Sequence, residues 1–144
     1  MMLTLGAMLV ASPLFALGAD QAKVISMTGA AHYKAVGTSE WKNLDMGTVL
    51  SEGDAVKTGN GCEITMELKG AKKTAEIVVR ENSEFVFQTF QHDKETLVDT
   101  TLLDVSLGAV LVKAEKLTGS SKFEVKTPTS IVGIRGTTFE VKVA

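Results

Sequence analysis

The chain has 144 residues, a formal net charge of −2 and a single cysteine. That length fits one domain. Its acidic and basic residues are interspersed, which excludes the clustered basic face of a nucleic-acid binder, and a lone thiol forms no internal disulfide.

The first 19 residues, MMLTLGAMLVASPLFALGA, carry no charged side chain, and every Lys, Arg, Asp and Glu lies from Asp20 onward. Two readings compete. A secretory signal peptide accounts for the apolar run Leu3 to Leu17, with Ala16-Leu17-Gly18 as a small-x-small cleavage site and a mature start near Ala19 or Asp20. Against it, no basic residue precedes the apolar run. The alternative is the end of a transmembrane helix, since such a stretch can just cross a hydrocarbon core of roughly 30 Å. Either way an N-terminal apolar helix is expected, and residues 20–144 are delivered out of the cytoplasm. The product is periplasmic or secreted in the first case and anchored to the inner membrane, with its domain in the periplasm, in the second. No cysteine stands near Ala19 to accept a lipid.

From Val24 onward the pattern is that of strands. Cys62, Ile64, Met66 and Leu68 alternate with polar residues, the period-two signature of a half-buried strand, and place Cys62 as a small buried apolar residue. Phe123 and Val125 alternate likewise, as do Phe139, Val141 and Val143. Ile77-Val78-Val79 and Ala109-Val110-Leu111-Val112 are apolar at every position and read as strands covered on both faces. Turn signals punctuate the runs at Gly53-Asp54, Gly59-Asn60-Gly61, Lys69-Gly70, Glu81-Asn82-Ser83 and Leu117 to Ser121. The polar stretch Gln91 to Thr101 reads as a surface loop or hairpin tip. Gly47, Gly53 and Gly59 fall at a hexad spacing that solenoid rungs also show. The expected fold is therefore all-β and single-domain, either a twisted β-sandwich or a solenoid-like β-roll of short strands.

Catalytic signatures are missing. His32 and His92 stand far apart, neither at a metal-ligand spacing. There is no G-x-S-x-G elbow, phosphate-binding loop or H-E-x-x-H helix. The chain reads as a non-enzyme with no catalytic residue, metal or cofactor. Trp41, the only tryptophan, is either a packing residue or a sugar-stacking platform. Phe85 and Phe87 share one parity and read as one core face. Phe90, on the other parity, would mark a partner surface if exposed.

Several pieces recur in a fixed order. Trp41-x-x-Leu44, Gly47, Leu50, Gly53-Asp54 and Thr58-Gly59 come first, then an alternating strand and turn. Near the C-terminus Thr127-Pro128 precedes an apolar segment, Val132 to Val141, containing Gly133-Ile134-Arg135-Gly136-Thr137. Together these resemble a FecR-type domain from about Val24 to Val143. The resemblance implies an all-β extracytoplasmic module of bacterial envelope proteins. Its best-known members are transmembrane regulators that hold a sigma factor through a cytoplasmic N-terminal region. They relay a signal from an outer-membrane transporter, often one for ferric siderophores or ferric citrate. No such region precedes the apolar segment here, so the resemblance is to members carrying the module alone.

The same resemblance makes Asp54, Thr58, Gly59, Thr127, Pro128, Gly133, Arg135, Gly136 and Thr137 structural motif residues. Gly133 and Gly136 are expected to allow a bulge or bend that brings the last strand close to neighbouring backbone. Arg135 is expected to staple the fold by pairing with Asp54. The leading functional reading is an exported, non-catalytic binding or regulatory module acting through protein–protein contacts, by way of an exposed strand edge. Its partner is an envelope protein, with an outer-membrane transporter as the candidate. The alternatives are a structural envelope protein that binds cell-wall glycan (peptidoglycan) through Trp41 or the Gln91–Thr101 stretch, and a clipped transmembrane anti-sigma regulator of iron-uptake type.

Overall fold

The computed structural model describes residues 21–69, 73–93, 95–96, 98–114, 121–134 and 138–143. The N-terminal apolar segment with its expected helix lies outside these residues, as do Arg135, Gly136 and Thr137. The described residues form twelve strands. The first six are β1 (Gln21–Thr28), β2 (Ala31–Lys34), β3 (Lys42–Asn43), β4 (Val49–Leu50), β5 (Ala55–Thr58) and β6 (Glu63–Lys69). After them come β7 (Lys73–Val79), β8 (Glu84–Asp93), β9 (Val98–Ala114), β10 (Lys122–Lys126), β11 (Ile131–Ile134) and β12 (Thr138–Val143). Among the described residues no helix is long and apolar enough to cross a membrane.

Alternation decides which way each strand faces. Cys62, Ile64, Met66 and Leu68 are buried, as are Phe123 and Val125. Ile77, Val78 and Val79 are all buried, as a run apolar on both parities requires. In the comparable run of β9 only Val110 and Val112 are buried, while Ala109 and Leu111 stay half-exposed. On β12 the alternation carries only part-way: Val141 is buried, but Phe139 lies 38% exposed.

The strands form one continuous sheet curled into two halves that share β9. One half runs β3-β2-β5-β8-β9-β10-β11. The other runs β4-β1-β6-β7-β9-β12. Every pairing is antiparallel except β9 with β10. The architecture is thus a twisted all-β roll. The spacing of Gly47, Gly53 and Gly59 reflects successive turns along the chain, since solenoid rungs would stack in parallel. Of the two readings of Gln91–Thr101, the hairpin tip holds: the stretch supplies the far ends of β8 and β9, which pair as a long hairpin from Glu84↔Leu107 to Asp93↔Val98.

The long strand β9 can serve both halves because it reverses parity at Gly108. Thr101, Leu103 and Val105 face the core before it, and Val110 and Val112 after it. Gly108 has φ +90°, and a Cβ there would lie 2.1 Å from Ser83 Oγ and 2.4 Å from Ser83 Cα. Only a residue without a side chain fits that backbone and that gap. β8 uses a related device. Its register with β9 slips between Phe87 and Thr89, so Gln88 is an extra residue and the parity flips. Phe90 therefore joins Phe85 and Phe87 on the core face. Phe85 and Phe87 meet edge-to-face at 5.1 Å, and Phe87 stacks on Phe90 at 5.2 Å. Each such ring contributes about 1.5–3 kcal/mol through burial.

Candidate functional site: laced turns and a free sheet edge

The motif residues fall into two groups. In the first, Asp54 is buried, 6% exposed, and each carboxylate oxygen accepts a backbone N–H, Oδ1 from Val36 and Oδ2 from Ser51, both at 3.0 Å. The Gly53-Asp54 backbone exchanges bonds with β8: Phe87 N–H donates to Asp54 O at 3.0 Å, and Gly53 N–H donates to Phe87 O at 2.7 Å. One carboxylate thereby ties the β2–β3 loop and the β4–β5 turn to the aromatic core strand. Gly53, at φ +91°, has Val36 packed where a Cβ would stand. Beside it, Glu52 Oε1 accepts Phe90 N–H at 2.9 Å and Gln91 Nε2–H at 3.1 Å, satisfying a donor just past the β8 bulge.

Thr58 and Gly59 form a second knot. Thr58 Oγ1 donates to Arg80 O at 2.7 Å and accepts Ser83 N–H at 2.9 Å. Gly59 N–H donates to Ala30 O at 3.1 Å, and Gly59 O accepts Asn82 N–H at 3.2 Å. Ser83 Oγ then accepts Ala109 N–H at 3.0 Å, beside the Gly108 turn. Four segments distant in sequence are joined through these hydrogen bonds, which pair polar groups that burial would otherwise penalise. The arrangement is structural, and it contains no group poised for chemistry.

The C-terminal group behaves differently. Thr127-Pro128 opens the turn between β10 and β11. Thr127 N–H donates to Ser130 O at 2.8 Å, and Thr127 Oγ1 accepts Ser130 N–H at 3.1 Å, with Pro128 in the position that suits its fixed φ. Gly133 departs from the expected bulge. β11 pairs with β10 in unbroken register, Phe123↔Ile134 to Lys126↔Ile131, and a Cβ at Gly133 would meet nothing within 4 Å among the described residues. Glycine is not needed there for bending or close backbone approach. Instead Gly133 helps line a small cleft of about 120 Å³ with Lys122, Phe123, Glu124 and Ile134. Among the described residues β11 pairs only with β10, so its other edge has no strand beside it. Ile131 on this edge strand is 60% exposed.

The two aromatic candidates divide as well. Phe90 is 1% exposed, so the bulge at Gln88 removes it from any partner surface. Trp41 is half-buried, with the Lys57 and Lys34 ammonium groups 4.2 and 5.0 Å from its ring centroid. These are cation–π contacts, and a sugar stacking on a face they cover would have to displace them. Among the described residues no group of three or more His, Cys, Asp and Glu could hold a metal ion.

Cys62 is buried. Burial pushes its thiol above the ordinary 9.0, and the Glu63 carboxylate adds to this against an opposing hydrogen bond from the Gly59 backbone. A thiol ionised less readily in the fold than in the open chain makes stability fall as pH rises past 9, where the unfolded thiol loses its proton first. Cys62 is expected to resist alkylation in the native state and to react fully in denaturant. Mass spectrometry of iodoacetamide-treated protein checks this, and rapid native labelling would contradict it.

The signals for two unforeseen residues were present in the chain. Gly108 is an isolated glycine inside an apolar strand run, an ordinary mark of a bulge or close approach. Ser83 lies within a recognisable turn, but its meeting with Gly108 depends on long-range register.

Residues 54–144 match the family described as FecR protein. The chain belongs to the FecR family. The match begins at Asp54, the residue whose carboxylate ties the two turns, and runs through the free edge at β11. Neither a curated protein nor a solved structure matches the chain. As a FecR module the protein is a non-catalytic, extracytoplasmic component of the bacterial cell envelope, periplasmic or secreted, that works through protein–protein contacts. Its partners belong to envelope signalling or transport systems.

Proposed function

We propose that this FecR module binds its envelope partner by strand addition at β11, the partner being the periplasmic part of an outer-membrane transporter. Gly133 carries the reading. It lies in a motif segment of the family and in a regular ladder, yet among the described residues nothing lies within 4 Å of where its side chain would stand. A glycine that the fold does not require lowers strand stability, so its presence points to something else filling the gap. An incoming strand would take up the unpaired backbone groups of β11 and lay a bulky side chain over Gly133, as aromatic residues do over edge glycines. Exposed Ile131 would be covered at the same time. Long exposed apolar edges are otherwise a liability.

Gly133→Val separates fold from function. Valine suits a strand and meets no atom here, so unfolding should shift by no more than about 1 kcal/mol. Capture of the transporter in intact cells should fall by about tenfold or more, a difference of roughly 1.4 kcal/mol or larger. Unchanged capture would remove β11 as the docking edge. In parallel, sedimentation with purified peptidoglycan tests the glycan alternative. Retention that disappears on Trp41→Ala would favour a wall binder instead.

A further inference from the structure

The other sheet half also ends in an edge. Among the described residues β12 pairs only with β9, through Thr138↔Lys113 to Val143↔Gly108. Its sequence from Phe139 is Phe-Glu-Val-Lys-Val, apolar and charged by turns. Phe139, Val141 and Val143 share the face that continues the core row, with Val141 buried and Phe139 still 38% exposed. Glu140 and Lys142 share the opposite face, their charged groups 4.0 Å apart.

We infer that β12 is a self-complementary edge through which two copies of this chain pair antiparallel about a two-fold axis. The occupant follows from register. Directly opposed residues in an antiparallel pair share a face, so registers that keep the two core rows continuous must centre on a residue of β12. Centring on Glu140 opposes it to its own copy, and centring on Lys142 opposes two ammonium groups. Like charges directly opposite destabilise a pair. Centring on Val141 sets Glu140 of each copy against Lys142 of the other, Val141 against itself, and each Phe139 against a Val143. The strand is thus charge-matched to itself in one register, and in that register the half-exposed Phe139 ring gains an apolar neighbour. Two-fold symmetry repeats every pair, so each favourable or unfavourable contact counts twice. This edge belongs to the sheet half away from β11, so self-pairing does not compete with strand addition at Gly133.

The test is analytical ultracentrifugation of the protein recovered after expression of the full chain, over a concentration series. The wild type is expected to pass reversibly from monomer to dimer and to weaken with added salt. Glu140→Lys and Lys142→Glu should each weaken dimerisation by about tenfold or more, because each opposes like charges in both symmetric pairs. An equimolar mixture of the two variants should recover a heterodimer, and the double exchange Glu140→Lys with Lys142→Glu should recover the homodimer. Glu140 also lies 3.8 Å from Arg80 Nε on the surface, a contact worth little to the fold. Thermal unfolding verifies that each variant is folded, and the double exchange keeps the test decisive if a single variant is not. Gly133→Val should leave dimerisation unchanged, which separates this edge from β11. A wild type that stays monomeric, or single variants that dimerise as it does, would overturn the inference.

Discussion

Gly108→Val is expected to cost most of the domain's stability. The site demands φ +90°, and an added Cβ would lie 2.1–2.5 Å from three atoms of Ser83. A β-branched residue held in that backbone region costs about 1–3 kcal/mol. Forcing it against a neighbouring backbone adds about 1–3 kcal/mol more. Relief cannot come from Ser83 alone. Its Oγ holds Ala109 N–H at 3.0 Å and its N–H is bound to Thr58 Oγ1 at 2.9 Å, so moving it loosens the knot that joins β5, β8 and β9. Against a total of about 5–15 kcal/mol for a domain, a Tm loss above about 10 °C is expected. Differential scanning calorimetry reads it directly. A Tm within a few degrees of wild type would mean that β9 does not have to turn at this point. The contrast with Gly133→Val, made in a comparable strand but with open space above it, shows how position rather than residue type sets the outcome.

Asp54→Ala is the second large effect. Removing the carboxylate leaves Val36 N–H and Ser51 N–H, both part-buried, without their 3.0 Å acceptors. A hydrogen bond to a charged group contributes about 1.5–3 kcal/mol, and water partly replaces it at part-buried donors, so the pair together should cost about 2–4 kcal/mol. Asp54→Asn should fall between. Its carbonyl oxygen can keep one bond, while its amide group turns a donor toward the other N–H. Urea unfolding with an unchanged m-value would mark a loss of native stability rather than a change in the open chain. If Asn at this site matched the wild type, the two-donor tie would not be what holds the β2–β3 loop to the β4–β5 turn.

The strands from Cys62 to Leu68 and from Phe123 to Val125 were legible in the sequence because their alternation is local and unbroken. Asp54, Thr58 and Thr127 were named through the family resemblance alone; that each ties backbone at a turn is seen only in the hydrogen bonds of the folded chain. The facing of Phe90 was not. Its parity argues for the surface, and only the extra residue Gln88, visible once β8 is set against β9, returns it to the core. The division of β9 between two sheet halves was hidden for a similar reason. Pairing partners such as Thr101↔Phe90 and Val112↔Phe139 depend on register across the whole chain, which no local window contains. Gly133 shows the converse. A glycine in an apolar strand suggests a bend, yet here the ladder is regular and the missing side chain leaves a cleft. The polar run from Gln91 left loop and hairpin tip open, because hydrophilic composition suits both; only the pairing of β8 with β9 selects the hairpin.

Site-specific photocrosslinking in intact cells tests most directly whether β11 receives a partner strand. A photoreactive residue placed at Ile131 should capture an outer-membrane transporter through its periplasmic segment, and Gly133→Val should abolish that product. The same probe at Asn43, on the opposite edge of this sheet half, should give none. Equal capture from both positions, or capture at Ile131 that survives Gly133→Val, would contradict strand addition at this edge.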